Sequence, residues 1–195
     1  MKILVLLAAL LVHGVALAQS PEQPESDLSE QPESGLSYNY LELRFVDVDT
    51  NGGDGLRFKG SYQFPSNWLI VGGITSLDFN RNVDATIIEI GTGYVWDFKA
   101  DFDLFATLQY VNVDFDTPGG SSDDDGVAFS AGTRGMISPE FEVRGSVNHI
   151  NLDDSDTYLE IAGDYYFSQQ FSAGLSVEFA GDTDIITIGA RWYFR

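Results

Sequence analysis

The sequence predicts an all-β fold: a closed antiparallel up-and-down barrel that crosses a membrane on its strands. Three observations lead there. From Tyr38 onward, apolar and polar residues alternate with period two in ten segments, the spacing of strands whose two faces meet different surroundings. Beyond the N-terminus, no apolar run approaches the ~20 residues that a spanning helix needs. The N-terminal residues also have the build of an export signal, which sends the chain toward a membrane that strands can cross.

That signal comes first along the chain. Met1-Lys2 carries a single early positive charge, Ile3 to Val12 is almost unbroken aliphatic, and Ala16-Leu17-Ala18 supplies a small-x-small cleavage site. Residues 1–18 are therefore read as a signal peptide cut between Ala18 and Gln19. A membrane anchor fits less well, because His13 and Gly14 interrupt the run and no basic flank follows. Residues 19–37 form a separate stretch, in which Gln23-Pro24-Glu25-Ser26 returns as Gln31-Pro32-Glu33-Ser34. Rich in Pro, Glu, Ser and Gln, it is expected to be a disordered acidic leader serving as a spacer. Residues 38–195 are assigned to the barrel.

The ten strands are expected at 38–48, 56–64, 68–79, 84–96, 102–113, 126–137, 141–150, 157–167, 171–180 and 185–194. Most match the ~9–11 residues of a tilted spanning strand. Three connections are tight, at 65–67, 138–140 and 168–170, and a fourth, 98–101, is slightly longer. The alternate set is rich in aspartate and expected to be longer: 47–55, 80–84, 114–126, 151–156 and 181–184. Trp68 opens the third strand, Trp96 closes the fourth and Trp192 closes the tenth, so all three fall at the tight-turn end. An interfacial girdle of aromatics predicts that placement, whereas a soluble core would bury tryptophan at mid-strand.

Parity separates two faces. One carries Glu42, Arg44, Arg57, Lys59, Glu89, Asp103, Arg134, Glu142, Arg144, Glu160, Asp164, Glu178 and Arg191, among small residues such as Ser61, Gly91, Ser176 and Gly189. Opposed charges among small residues suit a narrow lumen filled by a paired network. The other face reads Leu41, Leu43, Phe45, Leu56, Phe58, Ile88, Ile90, Leu104, Leu108, Phe129, Val147, Ile161, Leu175 and Ile188, with no charge at mid-strand. This is the band expected to meet hydrocarbon. A lipocalin-like soluble barrel would reverse the faces, but its wet exterior would need no small residues. The third strand starts apolar on both faces, and its parity stays open.

Composition narrows the function classes. The chain has 195 residues, no cysteine, and a formal charge of −20 from 30 acidic against 10 basic residues. A disulfide framework and a thiolate site are excluded. So acidic a balance also argues against nucleic acid, which needs a basic footprint.

The closing stretch Thr187-Ile188-Gly189-Ala190-Arg191-Trp192-Tyr193-Phe194 alternates strictly and ends in aromatics. It resembles the C-terminal assembly signal of bacterial outer-membrane barrels, with Thr187, Gly189, Trp192 and Phe194 filling its positions; the family usually ends on the aromatic, whereas here Arg195 follows. Together with the opening strand Tyr38-Asn39-Tyr40-Leu41-Glu42-Leu43, it makes residues 38–195 similar to small porin-like barrels of the outer membrane protein X and OmpA transmembrane types. The resemblance implies a Gram-negative outer membrane, recognition by the barrel-assembly machinery, and lipopolysaccharide among the surrounding lipids. Those types have eight strands, which stays the alternative count to ten. Short turns would then lie in the periplasm with both chain ends, and the aspartate-rich loops outside.

Candidate chemistry is sparse. After signal removal His149 is the one histidine. Outer-membrane lipid A deacylases use a His-x-Ser pair with a wall Glu, but here Ile150 and Asn151 follow His149, so an enzyme, whether lipid hydrolase or protease, is not expected. Asp123, Asp124 and Asp125 are weak candidates for Ca²⁺ or Mg²⁺, which take oxygen ligands. The run Asp47-x-Asp49-x-Asn51-Gly52 starts like a calcium loop but has Phe58 where that loop needs Glu. No cofactor is expected otherwise. The function expected is a structural or surface-interaction role through acidic extracellular loops, with an unknown outside partner. A narrow channel for ions or small solutes is the alternative.

Overall fold

The computed structural model describes residues 36–49, 52–80 and 82–194. The signal peptide and most of the leader lie outside the described residues. The rest is all β, without helices, and closes on itself.

Ten strands run in chain order around the wall: β1 Tyr40–Val48, β2 Gly53–Gln63, β3 Trp68–Phe79, β4 Val83–Lys99, β5 Phe102–Thr117, β6 Gly120–Ser138, β7 Phe141–Asn151, β8 Ser155–Ser168, β9 Phe171–Ala180 and β10 Thr183–Tyr193. Each pairs antiparallel with its chain neighbours, and β1 pairs with β10 to seal the ring. The seam runs from Tyr40 opposite Tyr193 to Val48 opposite Ile185. Closure leaves no exposed edge at membrane depth, which a bilayer requires because hydrocarbon satisfies no backbone N–H or C=O.

The strand set agrees with the alternation in the sequence, but the connections do not divide as expected. At the aspartate-rich end they occupy only residues 49–52, 80–82, 118–119, 152–154 and 181–182, which spans the same range of lengths as the turns opposite. The stretch 114–126, expected as a loop, is mostly strand: β5 continues to Thr117 and β6 starts at Gly120. Pro118-Gly119 makes the tip, where Gly120 takes φ 139° and Thr117 Oγ1 donates to the Gly120 carbonyl at 2.7 Å. The physical reason is solvent. Outside the membrane a strand needs no apolar face, so Asp114, Asp116 and Asp123–Asp125 mark water around a ladder and not the absence of one. The two ends of the barrel therefore differ in strand overhang and charge, not in loop length.

The expected facing of the wall is visible in exposure. Leu43, Phe45, Ile90, Leu108, Val147, Leu175 and Ile188 all point outward and are exposed. A contiguous band of exposed large apolar side chains is uncommon on a soluble monomer; it suits a surface that meets hydrocarbon. The third strand, ambiguous in sequence, resolves: Trp68, Ile70 and Ile74 face out, while Leu69, Thr75 and Leu77 are buried inside.

Candidate functional site

The inward residues of β1 sample the lumen level by level: Tyr40, Glu42, Arg44, Val46 and Val48. Aromatic, acid, base and aliphatic residues follow one another along 9 residues of strand, and each level is completed by residues that cross-strand register brings beside it.

At the tight-turn end the keystone is Arg134 on β6. Its Nε and Nη2 donate to the two carboxylate oxygens of Glu142 on β7, both at 2.7 Å. Its guanidinium also lies 4.7 Å from the ring centroid of Tyr38 and 6.0 Å from that of Tyr193. Tyr193 and Tyr166 stack at 5.2 Å, with their hydroxyls 2.8 Å apart, and the Tyr166 hydroxyl donates to Glu142. One level deeper, Arg191 on β10 pairs with Glu42 and reaches Glu142 at 3.2 Å and Asp164 at 3.4 Å. Arg44 lies 3.0 Å from both Glu42 and Asp164. All of these charged side chains are 5% exposed or less. A buried charge without a partner is costly, and interlocking pairs from five strands meet that cost only in this register.

Further along, Arg57 pairs with Glu178, Arg144 with Glu160 at 2.7 Å, and Lys59 with Glu89 at 3.5 Å. Arg57, Lys59, Arg144 and Glu160, with Ser61, Thr107, Gln109, Ser130 and Ser146, line a cavity of about 120 Å³, room for a few waters. Arg57, Lys59 and Glu89 are more exposed than the arginines and carboxylates of the deeper levels.

Beyond the cavity the lumen turns aliphatic, which the sequence reading missed. Val46, Val48, Leu77 and Ala85 form a buried cluster with Phe79, Ile87 and Ile185 packed on it. Val111 and Val113 are also buried. A second cluster at the turn end joins Tyr38, Leu69 and Val95 to Leu36, Val71 and Phe105. The signal was present, since the inward parity of β3 and of the ends of β4 and β5 is aliphatic, but a polar lumen rule hides it. Leu36 and Ser37, assigned to the leader by composition, belong to the described residues and lie in that mouth. Burial pushes the Tyr38 phenol above its ordinary range, against the pull of Arg134, so it stays neutral.

The outside carries two belts. At the turn end Trp68 and Trp96 each pack edge-on against Tyr94, at 5.4 and 4.9 Å, and Trp192 lies 5.8 Å from Phe194. All three tryptophans are exposed on the outward face. In the closing strand, Thr187 is buried against Ser176 at 2.8 Å, and Gly189 sits where a Cβ would come within 2.1 Å of the Leu43 carbonyl oxygen.

At the opposite end runs a row of aspartates that no sequence spacing reveals. Asp47 stands opposite Asp54, Asp54 opposite Asp78, Asp78 opposite Asp84, and Asp84 opposite Asp116. All five are exposed. Asp114 faces Asp123 on the overhanging hairpin. Among the described residues no three acidic or histidine side chains converge as a metal site would require. Asp123, Asp124 and Asp125 are consecutive in a strand, so the middle one points the other way; Asp124 Oδ2 accepts from the Asp153 amide at 3.1 Å. His149 is exposed, with Nδ1 2.8 Å from Thr157 Oγ1.

A family model described as outer membrane protein beta-barrel domain matches residues 4–179. Among solved structures, the NanC porin is similar with a TM-score of 0.56 and 10% identity, over 79% of this chain and 100% of that one. The KdgM porin is similar with a TM-score of 0.51 and 10% identity, over 80% and 99%. At such identity the likeness concerns the fold alone. No curated protein matches the chain.

Proposed function

The chain belongs to the outer membrane protein beta-barrel domain family, and from that premise we propose a non-enzymatic structural and surface-interaction protein with a sealed lumen. In this reading residues 1–18 are cleaved on export, the turn end and both chain ends lie in the periplasm, and the aspartate end faces outside. The assembly machinery reads the closing strand, and lipopolysaccharide surrounds the outer half of the wall. The β5–β6 overhang, with Asp114, Asp116 and Asp123–Asp125, is the surface offered to an extracellular partner. Its charge favours a basic partner and repels an acidic one.

The observation that carries the reading is the filling of the lumen. Arg134 pairs with Glu142 and Arg191 with Glu42 between neighbouring strands, while Arg44 reaches Asp164 and Arg191 reaches Glu142 between strands that are not neighbours, and the aliphatic cluster around Val46 and Leu77 lies beyond them. Fixed ion pairs and a dry constriction both oppose ion flow. His149 beside Thr157, without a serine or carboxylate partner in its sequence pattern, supports a non-enzymatic role. Planar-bilayer recording of the folded chain tests the reading. A silent bilayer is expected; resolved unitary conductance steps would replace it with the narrow-channel alternative.

A further inference from the structure

Two mouths close this lumen by different means. At the aspartate end the seal is built from strand residues, which the hydrogen-bonded wall fixes in place. At the turn end the innermost part of the seal is Leu36, Ser37 and Tyr38, which precede β1 and belong to no strand.

Asn39 marks the change. Its side-chain oxygen accepts from the Gln63 amide at 2.7 Å and its carbonyl accepts from the Phe194 amide at 3.1 Å, so it is fastened to both neighbours of β1. Ladder pairing of β1 with β2 and β10 begins at Tyr40 and does not extend upstream. Above Asn39 the hold changes character. Arg134 Nη1 donates to the Ser37 carbonyl at 2.8 Å, its guanidinium lies over the Tyr38 ring, and Leu36 and Tyr38 pack on Leu69 and Val95. The Tyr38 hydroxyl is buried with no hydrogen-bond partner. That atom would regain water if the segment left, which lowers the cost of leaving. Tyr38 also forms part of the cavity wall, with Ser61 and Arg57 beside it.

We propose that Leu36–Tyr38 is a removable plug, hinged at Asn39, whose withdrawal opens the lumen cavity to small polar solutes from the turn side while the strand wall stays intact. Arg134 is the positioning residue that latches it. The inference goes beyond the surface-interaction role, which a permanently stoppered barrel would perform equally well. The opening is sub-global: it breaks side-chain contacts and leaves the ladder alone.

The absence of cysteine makes the test clean. Ser61→Cys places one thiol in the cavity wall, at a position only 5% exposed whose hydroxyl has no partner. The folded protein in detergent micelles is treated with a charged methanethiosulfonate reagent, with heat-modifiable gel mobility reporting the folded barrel. Labelling is expected to be slow in Ser61→Cys alone and at least about tenfold faster when Leu36→Ala and Tyr38→Ala are added. Equal rates overturn the proposal, as does rapid labelling with the plug intact, since entry would then come by another route. Should the triple variant not fold, Ser61→Cys alone is followed through a urea series. Labelling that rises while the folded mobility persists supports the plug, and labelling that appears only as that mobility is lost overturns it.

Discussion

Arg134 gathers more of the lumen around itself than any other side chain, touching Glu142, Tyr166, Tyr193, Tyr38 and the Ser37 carbonyl. Arg134→Ala should therefore be strongly destabilising, though by less than the ~3–5 kcal/mol of a fully unpaired buried charge, because Glu142 keeps Arg191 at 3.2 Å and the Tyr166 hydroxyl. Urea unfolding in micelles would measure it, and Glu142→Gln added to the same chain should recover part of the loss. On the other face, Leu175→Arg should cost about 2–4 kcal/mol near the bilayer midplane, read in lipid vesicles; folding equal to the parent chain would mean that the outward surface does not meet hydrocarbon. Gly189→Val should weaken the seam, since its Cβ would meet the Leu43 carbonyl oxygen at 2.1 Å. Single residues were partly legible in the sequence. Parity alone put Arg134 and Glu142 on one face, but not in contact, because which residues stand opposite depends on the register of two strands. Tyr38 was read as the first residue of a strand, and only the closed mouth shows it turned inward.

Strands proved more legible than their ends. Within the membrane, alternation between a mostly polar lumen and lipid writes the strand into the sequence. Beyond the membrane both faces are wet, the pattern fades, and β5 and β6 ran on unnoticed to Thr117 and from Gly120. On its β7 side the overhang has ladder partners only from Val127 onward, opposite Asn151. Aspartates there discourage edge-to-edge association between barrels, as charge commonly does on an open strand. The same charges strain the wall where they line up. Asp78 has Asp54 on one side and Asp84 on the other, and like charges directly opposite are destabilising. Asp78→Asn should thus raise the urea midpoint at low salt, and the gain should shrink at high ionic strength as screening takes over. A gain that ignored salt would point away from charge repulsion. This row could not be found in the sequence, because its members are scattered over nearly seventy positions and only pairing unites them.

For the molecule as a whole, three layers of environment stand in series: a lipid-facing shell, a hydrogen-bonded wall and a lumen that is charged, then wet, then aliphatic. The shell and the wall follow from periodicity and from the lack, beyond the N-terminus, of any apolar run long enough to span. The aliphatic third of the lumen was not, because averaged over ten strands the inward face looks polar. With a formal charge of −20, encounters of the folded barrel with a basic partner should slow steeply as salt rises, whereas its stability in lipid should change far less. Stopped-flow association with a cationic peptide, set against unfolding at the same salts, would separate the two.

The seam between β1 and β10 has a further consequence. Glu42 and Arg191 meet across 149 positions of chain, so the first strand waits for its second neighbour until β10 has been made. During that interval both margins of a growing ribbon offer bare amides and carbonyls to any passing strand. The ring therefore cannot close before β10 is present, and a polypeptide cut short ahead of it has no way to hide its raw borders.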